Sequence, residues 1–361
     1  MRFGRLRIWL LLAAVPMALV SCSGCVTSFE SATRDPRAGQ ILNGRAAVVY
    51  SSRYEIDLAG LEGKHRFDIH KYRRIAQALV RDGYLRTSEF HVPGEVTKEE
   101  LLRVHTPAYL ASLRDSETVA RALEVKAVGL LPSATVDGRI LKAFRVATGG
   151  TVLAARLAMR SGLGINLGGG YHHAHADHGE GFCVYGDIPV AIRALRAGGL
   201  ARRVVVVDLD VHQGNGDACI LADDAGVFTF DIHQENIYPN PKATNDLDVP
   251  LVPPVDDARY LAVLREHLPG ILKRQKPDLV VLQAGVDVYQ GDPLASFGLT
   301  AEGIVARDEY VVGEARRRGI AVLYVTGGGY SGEAWRIQYR SVANLLEKFA
   351  GAERRIEATP E

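Results

Sequence analysis

Val204–Asn215 reads VVVVDLDVHQGN, four β-branched residues running straight into two aspartates and a histidine spaced two apart. Four consecutive valines leave no polar side to face water, so the segment predicts a strand buried on both faces, as in a parallel sheet covered by helices. Side chains alternate along a strand, which sends Asp208, Asp210 and His212 to the same side at its end. Carboxylates and an imidazole converging there suit a zinc-like divalent cation. Taken alone, the same residues also fit a plain polar turn with His212 and Asn215 as turn residues, because the D-x-D-x-H spacing is short.

Three other segments bear on that choice. Asn166–Asp187, NLGGGYHHAHADHGEGFCVYGD, sets three glycines before His172 and His173. Glycines of this kind let the backbone turn sharply and approach a ligand. Adjacent neutral histidines beside a metal are suited to taking a proton from polarised water and returning it to a leaving amine. His175 and His178 read instead as solvated loop residues, at most a loose metal trap. Leu279–Asp292, LVVLQAGVDVYQGD, is a second apolar run delivering a carboxylate, Asp287, past its end. A catalytic zinc takes three protein ligands and keeps one position open, and Asp210, His212 and Asp287 would supply the three. Ile320–Tyr330, IAVLYVTGGGY, runs a strand into three glycines and a tyrosine whose hydroxyl is placed to donate to an oxyanion.

With these segments together, the chain resembles the histone deacetylase family. The motifs GGGYHHA, GFCVYGD, DLDVHQGN, AGVDVYQGDPL and TGGGY stand in the family's order across roughly residues 46 to 350. The resemblance implies hydrolysis of the amide of an acylated amine with Zn2+, and a structural monovalent cation as a second ion. It makes Asp210, His212 and Asp287 the metal ligands, Tyr330 the residue polarising the acyl carbonyl, and His172 with His173 the tandem catalytic pair. The resemblance also makes His173 the general base and Asp208 the carboxylate orienting His172. Gly181, Phe182, Tyr238 and Leu294 fall where the family lines its acyl-lysine tunnel. One departure is Gln213-Gly214-Asn215, where many members end in an acidic residue. His173 would then be oriented by a neutral amide and be less readily protonated, since a nearby negative charge favours the imidazolium. The HQGN form is similar to class IV enzymes and their bacterial relatives.

The rest of the chain agrees with one enzyme domain. At 361 residues, 47% hydrophobic and 24% charged, it can bury a large core. A formal charge of +1 supplies no strong field for nucleic acid, and none is expected as a partner. Apolar runs at Ala46–Ser51, Gly164–Leu167, Val204–Val207, Gly226–Phe230, Leu279–Leu282 and Ile320–Val325 read as strands. Helical spacing covers Ile140–Arg160, Pro189–Ala197, Asp257–Lys273 and Ala301–Arg318, and Thr97–Glu100 opens another helix with a capping box. Such alternation predicts an α/β fold, a single-domain parallel-sheet sandwich with helices on both faces. Site motifs at strand ends follow the rule that ligands bind beyond the carboxyl ends of strands. His233–Asp256, rich in Pro, Asn and Asp, reads as a long loop at the site rim.

The N-terminus carries a different message. Arg2, Arg5 and Arg7 precede an apolar stretch, Ile8–Val20, of thirteen residues, short for a membrane span. Leu19-Val20-Ser21-Cys22 resembles a bacterial lipobox, which implies a signal peptide over residues 1–21 and a lipidated Cys22. A tether over 22–45, the catalytic domain over 46–350 and a tail over 351–361 complete the division. The implied location is the cell envelope, lipid-anchored on the periplasmic side; a misread signal would return the protein to the cytoplasm. Losing the three arginines changes the charged residues from 43 basic against 42 acidic to 40 against 42, slightly acidic. Cys25, Cys183 and Cys219 then remain, an odd number that suggests no disulfide framework. Cys183 reads as a small buried side chain rather than a nucleophile. Two other functions stay open at this level: a binuclear manganese hydrolase of the arginase type, and a silent pocket that binds without turnover.

Overall fold

The computed structural model describes residues 46–56 and 66–350; the expected signal peptide, the whole tether with Cys22 and the C-terminal tail lie outside them. Strands β1 (Ala47–Val49), β2 (Leu163–Asn166), β3 (Val204–Asp208), β4 (Val227–Gln234), β5 (Leu247–Leu251), β6 (Leu279–Gln283) and β7 (Ala321–Val325) form one sheet. All neighbours run parallel, in the order β1-β2-β7-β6-β3-β4-β5. Every residue of β2, β3, β6 and β7 is buried, and because successive side chains face opposite ways, both sides of the sheet must be covered.

The cover is helical. In chain order the longer helices are α1 (Lys71–Arg81), α2 (Lys98–Leu102), α3 (Pro107–Ser112), α4 (Ser116–Leu123), α5 (Lys142–Ser161), α6 (Asp187–Ala197), α7 (Asn215–Leu221), α8 (Asp257–Gln275), α9 (Ala301–Arg317) and α10 (Ala334–Phe349). Helix α5 packs on β1, β2, β7 and α6, while α10 bridges α9 and α1. The capping box at Thr97 is present, with its hydroxyl accepting from the Glu100 amide and the Glu100 carboxylate accepting from the Thr97 amide. Among the described residues no helix is long and apolar enough to cross a membrane.

One expectation is corrected. The segment His233–Asp256 is not all loop, because β4 continues to Gln234 and Leu247–Leu251 adds a seventh strand. Leu247, Val249 and Leu251 alternate as a strand requires, but Pro250 argues against a sheet interior. It is tolerated because β5 is the outer strand, where Pro250 stands opposite His233.

What the fold does for function is set by register. Asn166 pairs with Val325, Val325 with Gln283, and Gln283 with Asp208, giving one row across β2, β7, β6 and β3. Those four adjacent strands end together, and the motifs GGGYHHA, DLDVHQGN, AGVDVYQGDPL and TGGGY leave from that row. Beneath it, Arg307 of α9 is fully buried. Its guanidinium donates to the carbonyls of Leu209 at 2.9 Å and Gly285 at 2.8 Å and pairs with Asp308 at 2.8 Å. These carbonyls precede Asp210 and Asp287, so one cation ties the two carboxylate loops to the helix layer. Removing one partner of a buried pair leaves the other charge uncompensated. Arg307→Met is therefore expected to cost about 3–5 kcal/mol, read as a lower midpoint in urea unfolding. An unchanged midpoint would show the tie to be dispensable.

Candidate active site

The loop after β3 folds on its own carboxylates. Asp208 accepts from the Asp210 amide at 3.1 Å, and Asp210 from the His212 amide at 3.1 Å. Asp287, arriving from β6, accepts from the Val211 amide at 2.9 Å. The result brings three donor atoms together: His212 Nδ1 lies 3.2 Å from Asp210 Oδ1 and 3.1 Å from Asp287 Oδ2. All three side chains are buried. Behind them stands Gly328, whose amide donates to Asp210 Oδ2 at 2.9 Å. A Cβ at that position would sit 2.5 Å from both Asp210 Oδ2 and Asp287 Oδ2, so only glycine lets the β7 loop close on the cluster.

The glycine loop after β2 is shaped by Asp187, the last residue of the GFCVYGD motif. Its buried carboxylate accepts from the amides of Gly170 at 2.9 Å and Tyr171 at 2.7 Å and from the Thr151 hydroxyl at 2.6 Å. That turn delivers His172 and His173 side by side, ring centroids 4.0 Å apart. His172 Nδ1 meets Asp208 Oδ2 at 2.8 Å, and His173 Nδ1 meets Asn215 Oδ1 at 2.7 Å. Each histidine thus meets the residue that the sequence reading set beside it.

The two histidines are pulled in opposite directions. Burial disfavours the charged form of His172, but Asp208 and Asp210 outweigh it and raise its pKa to about 10. His173 is held well below the ordinary imidazole value, first by burial and then by the charges of His172 and His212. The direction agrees with the expectation, although burial, rather than the missing acidic partner, leads the causes. Burial raises Asp208 and Asp287 to about 7 each. Asp210 is also buried, yet His172 and His212 keep it well below the carboxylate range.

Tyr330 closes the opposite wall. Its ring packs edge-on against Phe67, Phe182 and His212, with centroids 6.1–6.2 Å apart. Its backbone is fixed by Asp292, which accepts from the amides of Tyr330 at 2.7 Å and Ser331 at 3.2 Å. Burial keeps the phenol pKa well above 10, so the hydroxyl remains a donor. The same Asp292 accepts from the Leu294 amide at 3.0 Å and so places that rim residue too.

A cavity of about 780 Å3 opens over this floor, bounded by His172, His173, Asp210, Phe182 and Tyr330. Leu123, Val125, Val128, Leu131, Ile140 and Phe144 also line it. An adjoining opening of about 240 Å3 is lined by Phe182, Tyr238, Leu294, His212 and Tyr330. All four expected tunnel residues thus lie on the cavity walls. Gly181 and Phe182 adopt left-handed φ of 54° and 66°, and a Cβ on Gly181 would meet the His173 ring at 2.5 Å. For Phe182 that conformation is strained, and it aims the ring at Tyr330.

Two further groups could gather a metal among the described residues: His175, His178 and Glu180, and Asp231, His233 and Asp248. The imidazoles of the first are stacked in parallel, 9° between planes, so their in-plane lone pairs do not converge on one ion. In the second, Asp248 is taken by Gln213 at 2.7 Å and Asp231 by the Gly214 amide at 2.9 Å. Cys183 is buried with its thiol pushed up by desolvation, consistent with a packing role. Sequence reading gave no role to Asp187, Asp292 or Glu180, although all three stand inside quoted motifs. Nor did it single out Lys71, fully buried and donating to the Gly327 carbonyl at 2.7 Å.

Comparison with known proteins agrees with this geometry. The histone deacetylase domain matches residues 65–346. Histone deacetylase 2 of Arabidopsis thaliana is 37% identical over 343 residues, covering 91% of this chain and 89% of that protein. The acetoin utilization protein AcuC of Staphylococcus aureus strain COL is 26% identical over 324 residues, 84% of this chain and 81% of its own. The crystal structure of the HDA15 HD domain superimposes with a TM-score of 0.70 at 24% identity, over 87% of this chain and 92% of that one. The matched residues take in the strand row, the tandem histidines and the carboxylate loops alike, and the chain belongs to the histone deacetylase family of amide-bond hydrolases.

Proposed function

We propose that the protein is a zinc-dependent deacylase that hydrolyses the amide of an acylated amine, with peptide acyl-lysine or a small acylated amine as substrate. The observation carrying this reading is the convergence of Asp210, His212 and Asp287 beside His172 and His173, with Tyr330 opposite, where two adjoining cavities are lined by Asp210, the paired histidines, His212 and Tyr330. One imidazole nitrogen and two carboxylate oxygens suit zinc, and the close approach of Gly328 keeps the cluster compact. Zinc bound there would act as a Lewis acid toward the acyl carbonyl and would acidify water. Among the described residues, no second set of aspartates gathers with His212 as a binuclear manganese site would need.

The protein's own groups divide the remaining work. His173, its Nδ1 turned to Asn215, offers Nε2 to take a proton from water and return it to the leaving amine. His172 is held by Asp208 and places positive charge beside the reacting carbonyl. Tyr330 donates to the oxygen on which negative charge develops. Phe182, Tyr238, Leu294 and Gly181 would grip a slender chain at the entrance.

The apolar lining favours acyl chains longer than acetyl as a second reading, because a cavity of about 780 Å3 walled by Leu131, Ile140 and Phe144 is larger than an acetyl methyl can fill. Purified, metal-analysed protein assayed against acetyl-lysine peptide, long-chain acyl-lysine peptide and acetylpolyamine tests both. We expect about one zinc per chain, turnover lost to a chelator and restored by zinc, and faster reaction with the longer acyl group. Turnover with none of the three would sink the reading. As to place, the lipobox-like Leu19–Cys22 supports an anchored envelope protein acting on an envelope or extracellular amine. Stable anchoring needs more than one acyl chain on Cys22. Labelled palmitate should enter the wild type and not Cys22→Ala; an unlabelled soluble wild type would refute it.

A further inference from the structure

Resting on the reading of His173 as proton carrier, we propose that Glu180 is a positioning residue for the reaction, acting through Asn215 to fix which nitrogen of His173 carries the proton. The need arises from the amide. A carboxylate beside His173 would accept from Nδ1–H whichever way it turned, whereas an amide has an accepting and a donating end. With Oδ1 toward the ring, His173 keeps its proton on Nδ1 and its lone pair on Nε2, facing the cavity. Turned over, the amide would donate to Nδ1, shift the ring proton to Nε2 and remove the base. Nothing in Asn215 itself selects between the two.

The surroundings of Asn215 make the selection. Its Nδ2 lies 2.6 Å from Glu180 Oε1, an acceptor-only oxygen facing one of the amide's hydrogens, and 3.2 Å from His175 Nε2. Oδ1 is left for His173 at 2.7 Å. Glu180 is held in turn by the Tyr238 hydroxyl, which donates to the same Oε1 at 2.8 Å. Burial of Glu180 is partial, and the bonds from Asn215 and Tyr238 lower its pKa, so it faces the amide as an acceptor-only carboxylate. A reversed amide would set oxygen against carboxylate oxygen at 2.6 Å. The acidic partner missing beside His173 is thus present one residue further out.

The arrangement makes an unusual pattern of mutant effects. Glu180→Gln removes the bias without removing bulk, and kcat should fall by roughly tenfold or more, as for loss of an orienting partner, with KM little changed. Asn215→Asp puts two carboxylates in contact and should also lower kcat. The double variant Glu180→Gln/Asn215→Asp should recover, because the introduced aspartate accepts from His173 in either orientation and the introduced glutamine donates to that aspartate. Histidine-labelled protein read by long-range 1H–15N correlation supplies a measurement that needs no turnover. Wild type should show His173 as the Nδ1–H tautomer, and Glu180→Gln should show Nε2–H or a mixture. A double variant no better than the worse single one, or an unaltered His173 tautomer in Glu180→Gln, would overturn the proposal. A wild type without turnover would remove the proposed function and still leave the tautomer to decide for or against Glu180.

Discussion

Alanine at Asp210, His212 or Asp287 is expected to abolish the proposed zinc binding and turnover in the same step. Each side chain supplies one of three donor atoms that all lie within 4.8 Å of one another, and a catalytic zinc with three protein ligands has none to spare. Losing a partner that merely orients a ligand costs about 10–100-fold, so losing a ligand must cost more, and residual turnover should lie below detection. A second measurement separates lost metal from lost fold. Zinc at a hundred times its dissociation constant stabilises the wild type by about 2.7 kcal/mol; the variants should melt as the metal-free wild type does and not respond to added zinc. Asp208→Asn is the matching control. It should keep zinc and lose turnover, because Asp208 reaches His172 and not the cluster's open side. Normal zinc content in all three alanine variants would end the assignment.

Tyr330→Phe should lower kcat by about 10²–10³, the usual cost of one oxyanion donor, with zinc content and melting temperature nearly unchanged. The phenyl ring retains the edge-on packing against Phe67, Phe182 and His212, and the Asp292 bonds involve only the backbone. His173→Ala should show a loss of the same order with zinc retained. If it instead loses zinc, His173 is a ligand; if Tyr330→Phe turns over normally, the donor lies elsewhere.

The features that could be read from the chain share a cause: they are local. Runs such as Val204–Val207 and Leu279–Leu282 are apolar throughout because the strands are covered on both faces. The carboxylates that follow them need only the strand's direction to be placed. The long helices over 142–161, 257–275 and 301–317 follow from their spacing to within a few residues. What escaped depends on contacts between distant parts of the chain. Pro250 hides β5 until its edge position is known. Lys71 reaches Gly327 across 256 residues, and Arg307 reaches Leu209 across 98. Neither pairing has a signature at either end. Helix α1 is different: Tyr72, Ile75, Ala76 and Leu79 repeat at helical spacing and all are buried, so the pattern was there but lacked any motif to draw notice. Glu180 and Asp292 sat in plain view within motifs, and only the positions of Asn215 and Tyr330 give them meaning.

The strand order has a bearing on how the chain reaches this state. The β1-β2 pair touches the other strands only through β7, and β7 is the last strand to be synthesised. Until residues 321–325 have left the ribosome, the sheet exists at most as two separate fragments with exposed apolar edges. A stop codon between Gln283 and Ile320 would leave two sheet fragments with nothing to join them rather than a weakened enzyme. Such late closure exposes the nascent protein to aggregation. It also leaves the polypeptide open for threading through a narrow channel before it locks.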